Sequence, residues 1–202
     1  MKVEDLQRIS ENIEREALKS LHQYSPKETK AALGLDLLEV ADALVASAQN
    51  DPSILLNRTV GLGTVNPIDP ESLKEITDTY KRSGINSFFL HVYESDMSDE
   101  ARLRLLNVGL KKTRGWMKFH RDTSPPKDAP TDLRIEPVGP DKAKDFGRIV
   151  CNAFGMSDAA IPLLAGLCND PRWHLFVSYD GDAPAGAGSL FISADKAWIE
   201  WG

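Results

Sequence analysis

A proline-rich stretch, TSPPKDAPTD, divides the chain at residues 123–132. Its three prolines lack backbone N–H donors and favour an extended backbone, so neither a helix nor a central strand is expected to run through it. The total of 202 residues is enough for about one to two domains. We therefore predict a linker at 123–132 between an amino-terminal region, 1–122, and a shorter region, 133–202.

Charge and cysteine content restrict the classes of partner and compartment. Asp and Glu outnumber Lys and Arg by 30 to 24, and the net charge of -6 would repel a phosphate backbone, so we expect no nucleic-acid partner. The only two cysteines, Cys151 and Cys168, are too few for a disulfide framework, and we expect a reducing, cytoplasmic setting. We expect neither a signal peptide nor a membrane span, because no apolar stretch is long enough.

The amino-terminal region begins with helical patterns. Apolar residues recur at steps of three and four over residues 4–22, which predicts an amphipathic helix. Ser25-Pro26-Lys27-Glu28 resembles a capping box and predicts a second helix that ends at Gly34. Residues 36–48 fit either helix or strand, and we favour a strand near 42–48.

The rest of this region alternates strand and helix patterns. We predict strands at 59–65 (TVGLGTV), 86–93 (NSFFLHVY) and 113–120 (TRGWMKFH), the second of them buried on both faces. We predict helices at 71–83, closed by Gly84, and from Ser98 to Gly109. The predicted order is β-α-β-α-β.

The region after the linker has a different order. We predict a strand at 133–138, a helix with the buried stripe Ala143, Phe146, Val150 and Ala153 that ends at Gly155, and a second helix capped by Ser157. Three strands, WHLFVSYD, AGAGSLFIS and KAWIEW, then follow with short connections that require antiparallel neighbours. The order β-α-α-β-β-β places the chain in the α+β class.

This order and its sequences, LRIEPVGPDKAKDFGRIVCNAFG, WHLFVSYDGDAPAGAGSLFIS and AWIEWG, resemble the first half of a GNAT-superfamily acyltransferase domain. LNRTVGLG, NSFFLHVY and TRGWMKFH are similar to the degenerate amino-terminal half of bacterial tandem GNAT proteins. The resemblance implies a GNAT-like fold with a mixed sheet. It also implies acetyl transfer from acetyl-CoA to a small-molecule or peptide amine, by direct attack in a ternary complex.

GNAT enzymes hold the acetyl-CoA pyrophosphate in a loop of pattern Q/R-x-x-G-x-G/A after the fourth strand, where glycines let backbone amides approach the phosphates. Here KAWIEW is followed only by Gly202, so we expect this loop to be absent and transfer to be impaired. In the first region, Asn66-Pro67-Ile68-Asp69-Pro70-Glu71 has no glycine and two carboxylates. We expect these carboxylates to cap the following helix and repel a pyrophosphate.

The resemblance implies three site residues on or beside the last strand. Glu200 corresponds to the glutamate that takes a proton from the amine in some GNAT enzymes, and the simpler interpretation is a glutamate that faces solvent. Trp201 and Gly202 are the candidate contacts to the pantetheine arm, since the backbone of this strand pairs with it in the family. Trp198 and Trp201 also fit ordinary core or interface packing.

Other chemistry finds less support in the sequence. The four histidines have no helical metal-ligand spacing, so we predict no metal site, and Cys151 fits a small buried apolar residue. A second hypothesis is a non-catalytic GNAT-derived module for self-association or protein interaction. The two regions could complete one mixed sheet within a chain or across a homodimer, because KAWIEW would otherwise leave an unpaired edge.

Overall fold

The computed structural model describes residues 3–94 and 97–202, and these form two compact units. The first takes its described residues from Met1–Leu18 and Ala32–Met117; the second consists of Lys19–Ala31 and Lys118–Gly202. Each unit contains helices and a four-stranded sheet, so the fold class is α+β. The second unit thus includes residues 19–31, which our sequence-based boundaries place in the first region.

Two helices begin the chain, close to the predicted ranges: α1 (Val3–Tyr24) and α2 (Lys27–Leu33). Ile13, Ala17 and Leu21 are buried along the predicted apolar face of α1. Gly34 ends α2 with a φ of 61°, in the left-handed region that glycine adopts without steric cost.

The first sheet has its strands in chain order: β1 (Leu35–Val40), β2 (Ala43–Ala48), β3 (Arg58–Val60) and β4 (Phe89–Leu90). The first three pair antiparallel, whereas β3 and β4 are parallel and are connected through α3 (Pro70–Arg82). Helix α4 (Asp99–Asn107) follows, with the Ser98 hydroxyl accepting a hydrogen bond from the amide of Ala101 as its cap.

The strand favoured near 42–48 is confirmed as β2, and β1 pairs with it in a hairpin whose two-residue turn places Ala41 in the left-handed region at φ 51°. Two other strand predictions in this unit need correction. The strand predicted at 59–65 ends at Val60, because Gly61 and Gly63 have φ values of 89° and 78°. The strand predicted at 86–93 contains only β4, since its parallel partner β3 is three residues long.

The strand predicted at 113–120 is also wrong. This segment has no regular secondary structure, and apart from half-buried Lys118 its residues are exposed. Its alternating pattern resembles that of a strand, but no described strand pairs with it, and backbone pairing is what stabilises an extended segment.

Helix α3 supplies much of the first unit's core. Leu73, Ile76 and Tyr80 are buried on its inner face. The Tyr80 hydroxyl donates to the carbonyl of Ala46 at 3.1 Å and lies 3.0 Å from the hydroxyl of Thr59. Burial raises the pKa of Tyr80, so its phenol stays protonated and remains a donor to the strands.

The second sheet is antiparallel throughout, in chain order: β5 (Arg134–Pro137), β6 (Trp173–Asp180), β7 (Ala183–Ser193) and β8 (Lys196–Glu200). Between β5 and β6 lie α5 (Ala143–Phe154) and α6 (Ile161–Ala165). This is the predicted order. The helix predicted after Ser157 is divided, however, because single 3₁₀ turns precede and follow α6.

The buried stripe of α5 differs from the prediction at one position. Ala143, Phe146 and Val150 are buried as predicted, but Ala153 is exposed. Gly147 and Cys151 complete the buried face instead. The interpretation of Cys151 as a small buried residue is confirmed.

The two sheets share no strand among the described residues. The prediction of one mixed sheet formed within the chain is therefore wrong. β8 pairs with β7 alone in this part of the chain, so KAWIEW forms an edge strand as predicted.

A hydrogen-bonded network explains why residues 19–31 belong to the second unit. The Trp173 indole donates to the Ser20 hydroxyl at 2.9 Å, and Ser20 donates to Asp170 at 2.6 Å. Arg172 pairs with the same carboxylate at 2.7 Å. Burial alone would raise the pKa of Asp170, but the hydrogen bonds from Arg172 and Ser20 hold it below its usual value.

Gly147 allows α5 to approach α6 closely. A Cβ at this position would lie 2.6 Å from the backbone oxygen of Ile161. Helix propensity favours alanine over glycine by about 1 kcal/mol, whereas overpacking costs about 1–3 kcal/mol, so we predict that Gly147→Ala lowers the free energy of unfolding. Urea unfolding measures the change.

Gly188→Ala is the matched control, because a Cβ there meets no atom within 4 Å. We expect it to change the free energy of unfolding by no more than about 0.5 kcal/mol. Equal effects of the two substitutions would contradict the close helix contact.

Candidate functional site

Strand β8 carries Glu200, the candidate base. Glu200 pairs with Ser189 of β7, and Trp198 pairs with Phe191. Half-buried Trp198 and Glu200 alternate with exposed Ala197 and with Ile199, which is 74% exposed. Because side chains alternate along a strand, Glu200 lies on the same face of β8 as Trp198. This face is partly covered by the rest of the protein, whereas the opposite face, with Ile199, is exposed.

Trp201 and Gly202 follow the end of β8. Trp201 has a φ of 58°, and its side chain is buried with its ring edge-to-face with Phe154, the two ring centroids being 6.1 Å apart. Gly202 is exposed, and a Cβ there would lie 3.8 Å from the backbone of Gly188 in β7. The Trp201 side chain therefore contributes to the core, and any ligand contact from these two residues would come from their backbone.

Lys118 contacts the same strand. Its ammonium group lies 5.4 Å from the centroid of the Trp198 ring, within the range of a cation–π interaction. The Trp198 indole nitrogen is buried and has no hydrogen-bond acceptor among the described residues. An anionic ligand beside β8 would therefore meet the positive charge of Lys118.

The outer edge of β8 offers backbone hydrogen bonds. With β7 on one side and no described strand on the other, the outward N–H and C=O groups of β8 are not used by the sheet. An edge of this kind binds extended segments that carry amides of their own.

The glycine pattern that the resemblance implies occurs in the first unit. Arg58-Thr59-Val60-Gly61-Leu62-Gly63 fits R-x-x-G-x-G at the end of β3. The strand predicted at 59–65 contains both glycines, but the search for a phosphate site was confined to residues 66–71 and did not connect these glycines with Arg58. The signal that would have found them is Arg58, three residues before Gly61.

Carboxylates of the chain already occupy the amide donors that follow this pattern. Asp42 accepts hydrogen bonds from the amides of Val65 and Asn66 at 3.1 and 3.2 Å. Asp69 caps α3 by accepting from the amide of Ser72 at 2.8 Å, and these hydrogen bonds from Ser72 lower its pKa. The expectation that carboxylates cap this helix is confirmed for Asp69.

Gly61 itself is closed in. A Cβ there would lie 2.8 Å from the Arg15 guanidinium and 2.8 Å from the carbonyl oxygen of Asp42. Arg15 also donates to that carbonyl. The approach to the glycine backbone is thus occupied by the protein, so the pattern alone does not provide an open phosphate site.

A buried charged cluster that sequence analysis missed lies in the same unit. Glu14 of α1 is 4.0 Å from the Arg58 guanidinium and 3.7 Å from Nδ1 of His91. The three side chains are at most 14% exposed, and Trp116 packs on His91 with the ring centroids 4.9 Å apart. Its members are far apart in sequence and form no motif, so only the fold brings them together.

The described residues contain no group of three or more His, Cys, Asp or Glu side chains arranged to hold a metal ion. In the same part of the chain, every helix is too short or too polar to span a membrane.

Comparison with known proteins does not identify the chain: it matches no family model, no curated protein and no solved structure. Assignment to a functional class therefore depends on the site itself.

We predict that inorganic pyrophosphate leaves the amide NMR resonances of Val65 and Asn66 unchanged, because the Asp42 carboxylate occupies these donors. Asp42→Asn removes the charge of this acceptor. We expect the same two resonances to differ from their wild-type positions before any pyrophosphate is added, because their acceptor has changed. A saturable shift in the wild-type chain would contradict the closed site.

Proposed function

We propose that this protein is an acyl-CoA-dependent N-acyltransferase of the GNAT type and that β8 lies against its cosubstrate. One observation carries the proposal. The second unit has the order β5-α5-α6-β6-β7-β8 in an antiparallel sheet, and its last strand combines an outer edge that no described strand pairs with and a half-buried glutamate, Glu200.

The chemistry of acetyl-CoA fits such an edge. Its pantetheine arm is extended and contains two amides, which are hydrogen-bonding groups of the same kind as those of a strand. Backbone pairing with β8 would orient the arm and bring the thioester alongside this strand. Holding the thioester and the amine in a fixed orientation supplies a large part of the rate enhancement in reactions of this type.

Glu200 would act on the acceptor amine. In the proposed reaction, the amine nitrogen attacks the thioester carbon, Glu200 accepts the amine proton, and the carbon–sulfur bond breaks with the sulfur leaving as the thiolate. The half-buried position of Glu200 beside Trp198 limits access of water to this carboxylate.

The pyrophosphate of acetyl-CoA does not fit the glycine pattern of the first unit as it stands. Asp42 and Asp69 occupy the donors there, and two carboxylates would repel a diphosphate. The proposal therefore assigns to the first unit no role in holding the phosphates.

A non-catalytic role in self-association is the second candidate. The face of the second sheet that contains exposed Ile199 also contains exposed Ile135, Phe176 and Ile192. Exposed apolar patches mark association surfaces in many proteins, and a second copy of this chain would cover the same residues.

We predict that S-acetylpantetheine, which carries the thioester arm without the nucleotide, shifts the amide NMR resonances of Lys196–Glu200. β5 (Arg134–Pro137) is the internal control, because it forms the opposite edge of the same sheet. Shifts at neither edge, or equal shifts at both, would contradict a cosubstrate position on β8.

We predict further that Glu200→Gln lowers the rate of acetyl transfer from acetyl-CoA to a primary amine by about 10²–10⁴, the usual contribution of a general base. Asp195→Asn is the control, since Asp195 is exposed in the adjacent turn and pairs with Lys196. It should retain the wild-type rate.

Equal rates for wild type and Glu200→Gln would exclude Glu200 as the base. An absence of transfer by the wild-type chain, together with a molecular mass that rises with protein concentration, would favour the self-association module instead.

A further inference from the structure

A short basic and aromatic segment lies beside β8 in the second unit. Lys118-Phe119-His120-Arg121 contains two permanent cations and a Phe119 side chain that is 85% exposed. It ends a run, residues 101–121, that contains no Asp or Glu in a chain of net charge -6. An exposed phenylalanine between cations is costly in water and useful in binding a ligand that is both aromatic and anionic.

The structure fixes where this segment lies relative to β8. The Lys118 ammonium lies over the Trp198 ring, at 5.4 Å from its centroid, and Trp198 is on the half-buried face that also holds Glu200. The buried indole nitrogen of Trp198 has no acceptor among the described residues. The Arg121 guanidinium donates to the carbonyl of Ser124, which holds it close to its own loop.

We propose that Lys118, Phe119 and Arg121 bind the phosphorylated adenosine end of the acyl-CoA cosubstrate. The inference rests on the proposed function, because it assigns the nucleotide end of the ligand whose arm is assigned to β8. Phosphate oxygens pair with ammonium and guanidinium groups, and an adenine ring stacks on an exposed aromatic side chain.

The location of the other donors supports this assignment. A nucleotide with several phosphates needs cations or amide donors, and the amides of Val65 and Asn66 after the glycine pattern are taken by Asp42. Lys118 is a positive charge in direct contact with β8 through Trp198.

The test is a calorimetric titration of the whole chain with adenosine 3′,5′-bisphosphate at low salt. We expect saturable binding that Lys118→Ala weakens by at least about fivefold, as expected for the loss of a charge-assisted hydrogen bond. Lys127→Ala is the matched control: Lys127 is an exposed lysine of the same unit, and we expect its loss to change the affinity by less than about twofold.

Phe119→Ala separates stacking from charge. We expect it to weaken binding of the bisphosphate by at least about threefold while leaving the weaker binding of inorganic pyrophosphate unchanged, because only the nucleoside stacks on an aromatic ring. A loss of affinity equal for both ligands would overturn the assignment of adenine to Phe119.

Three results would overturn the proposal as a whole. They are no binding of the bisphosphate, equal losses in Lys118→Ala and Lys127→Ala, and tighter binding of single-stranded oligoadenylate with every added nucleotide, which would indicate a nucleic-acid surface.

The proposed function has its own readout. Binding of S-acetylpantetheine without binding of the bisphosphate would leave the acyltransferase proposal standing and remove only the nucleotide site. Binding of the bisphosphate without binding of S-acetylpantetheine would leave the nucleotide site standing and remove the acyltransferase proposal.

Discussion

Backbone amides that cannot pair within a helix or sheet need another acceptor, and in the β3–α3 connection the acceptors are carboxylates of the chain itself. Asp42 reaches the amides of Val65 and Asn66 from the β1–β2 turn, and Asp69 caps α3. These contacts stabilise the connection and close it to an external anion. The glycine pattern in the first unit therefore does not by itself provide an open phosphate site, despite its agreement with a phosphate-binding sequence.

The second unit presents the opposite situation. β8 uses the hydrogen-bonding groups of one side to pair with β7, and its other side has no strand partner in the described part of the chain. Glu200 and Trp198 share the half-buried face of this strand, and Lys118 lies against Trp198. A carboxylate and a donor edge are thus found on one strand, with a cation lying against it. This combination suits a ligand that has amides along its length and is anionic at one end, which is why we propose that the cosubstrate binds here.

The sequence predicts the second unit well and the first unit poorly, for a physical reason. In β6–β8 the strand patterns are joined by two-residue turns, which are too short for any but antiparallel neighbours, so the turns indicate an antiparallel sheet. In β2 all six residues are buried, so the sequence shows no alternation of polar and apolar residues that would indicate a strand. The turn at Ala41 carries no glycine or asparagine to mark it. The Glu14 cluster and the Lys118–Trp198 contact join residues distant in sequence and could be found only from the fold.

The most direct test of the account is hydrogen exchange of the whole chain with and without acetyl-CoA. The account predicts slower amide exchange in Lys196–Glu200 and Lys118–Arg121 when acetyl-CoA is present, and unchanged exchange in Gly61–Asn66. Slower exchange confined to Gly61–Asn66 would contradict it, because the nucleotide would then occupy the connection that Asp42 is held to close.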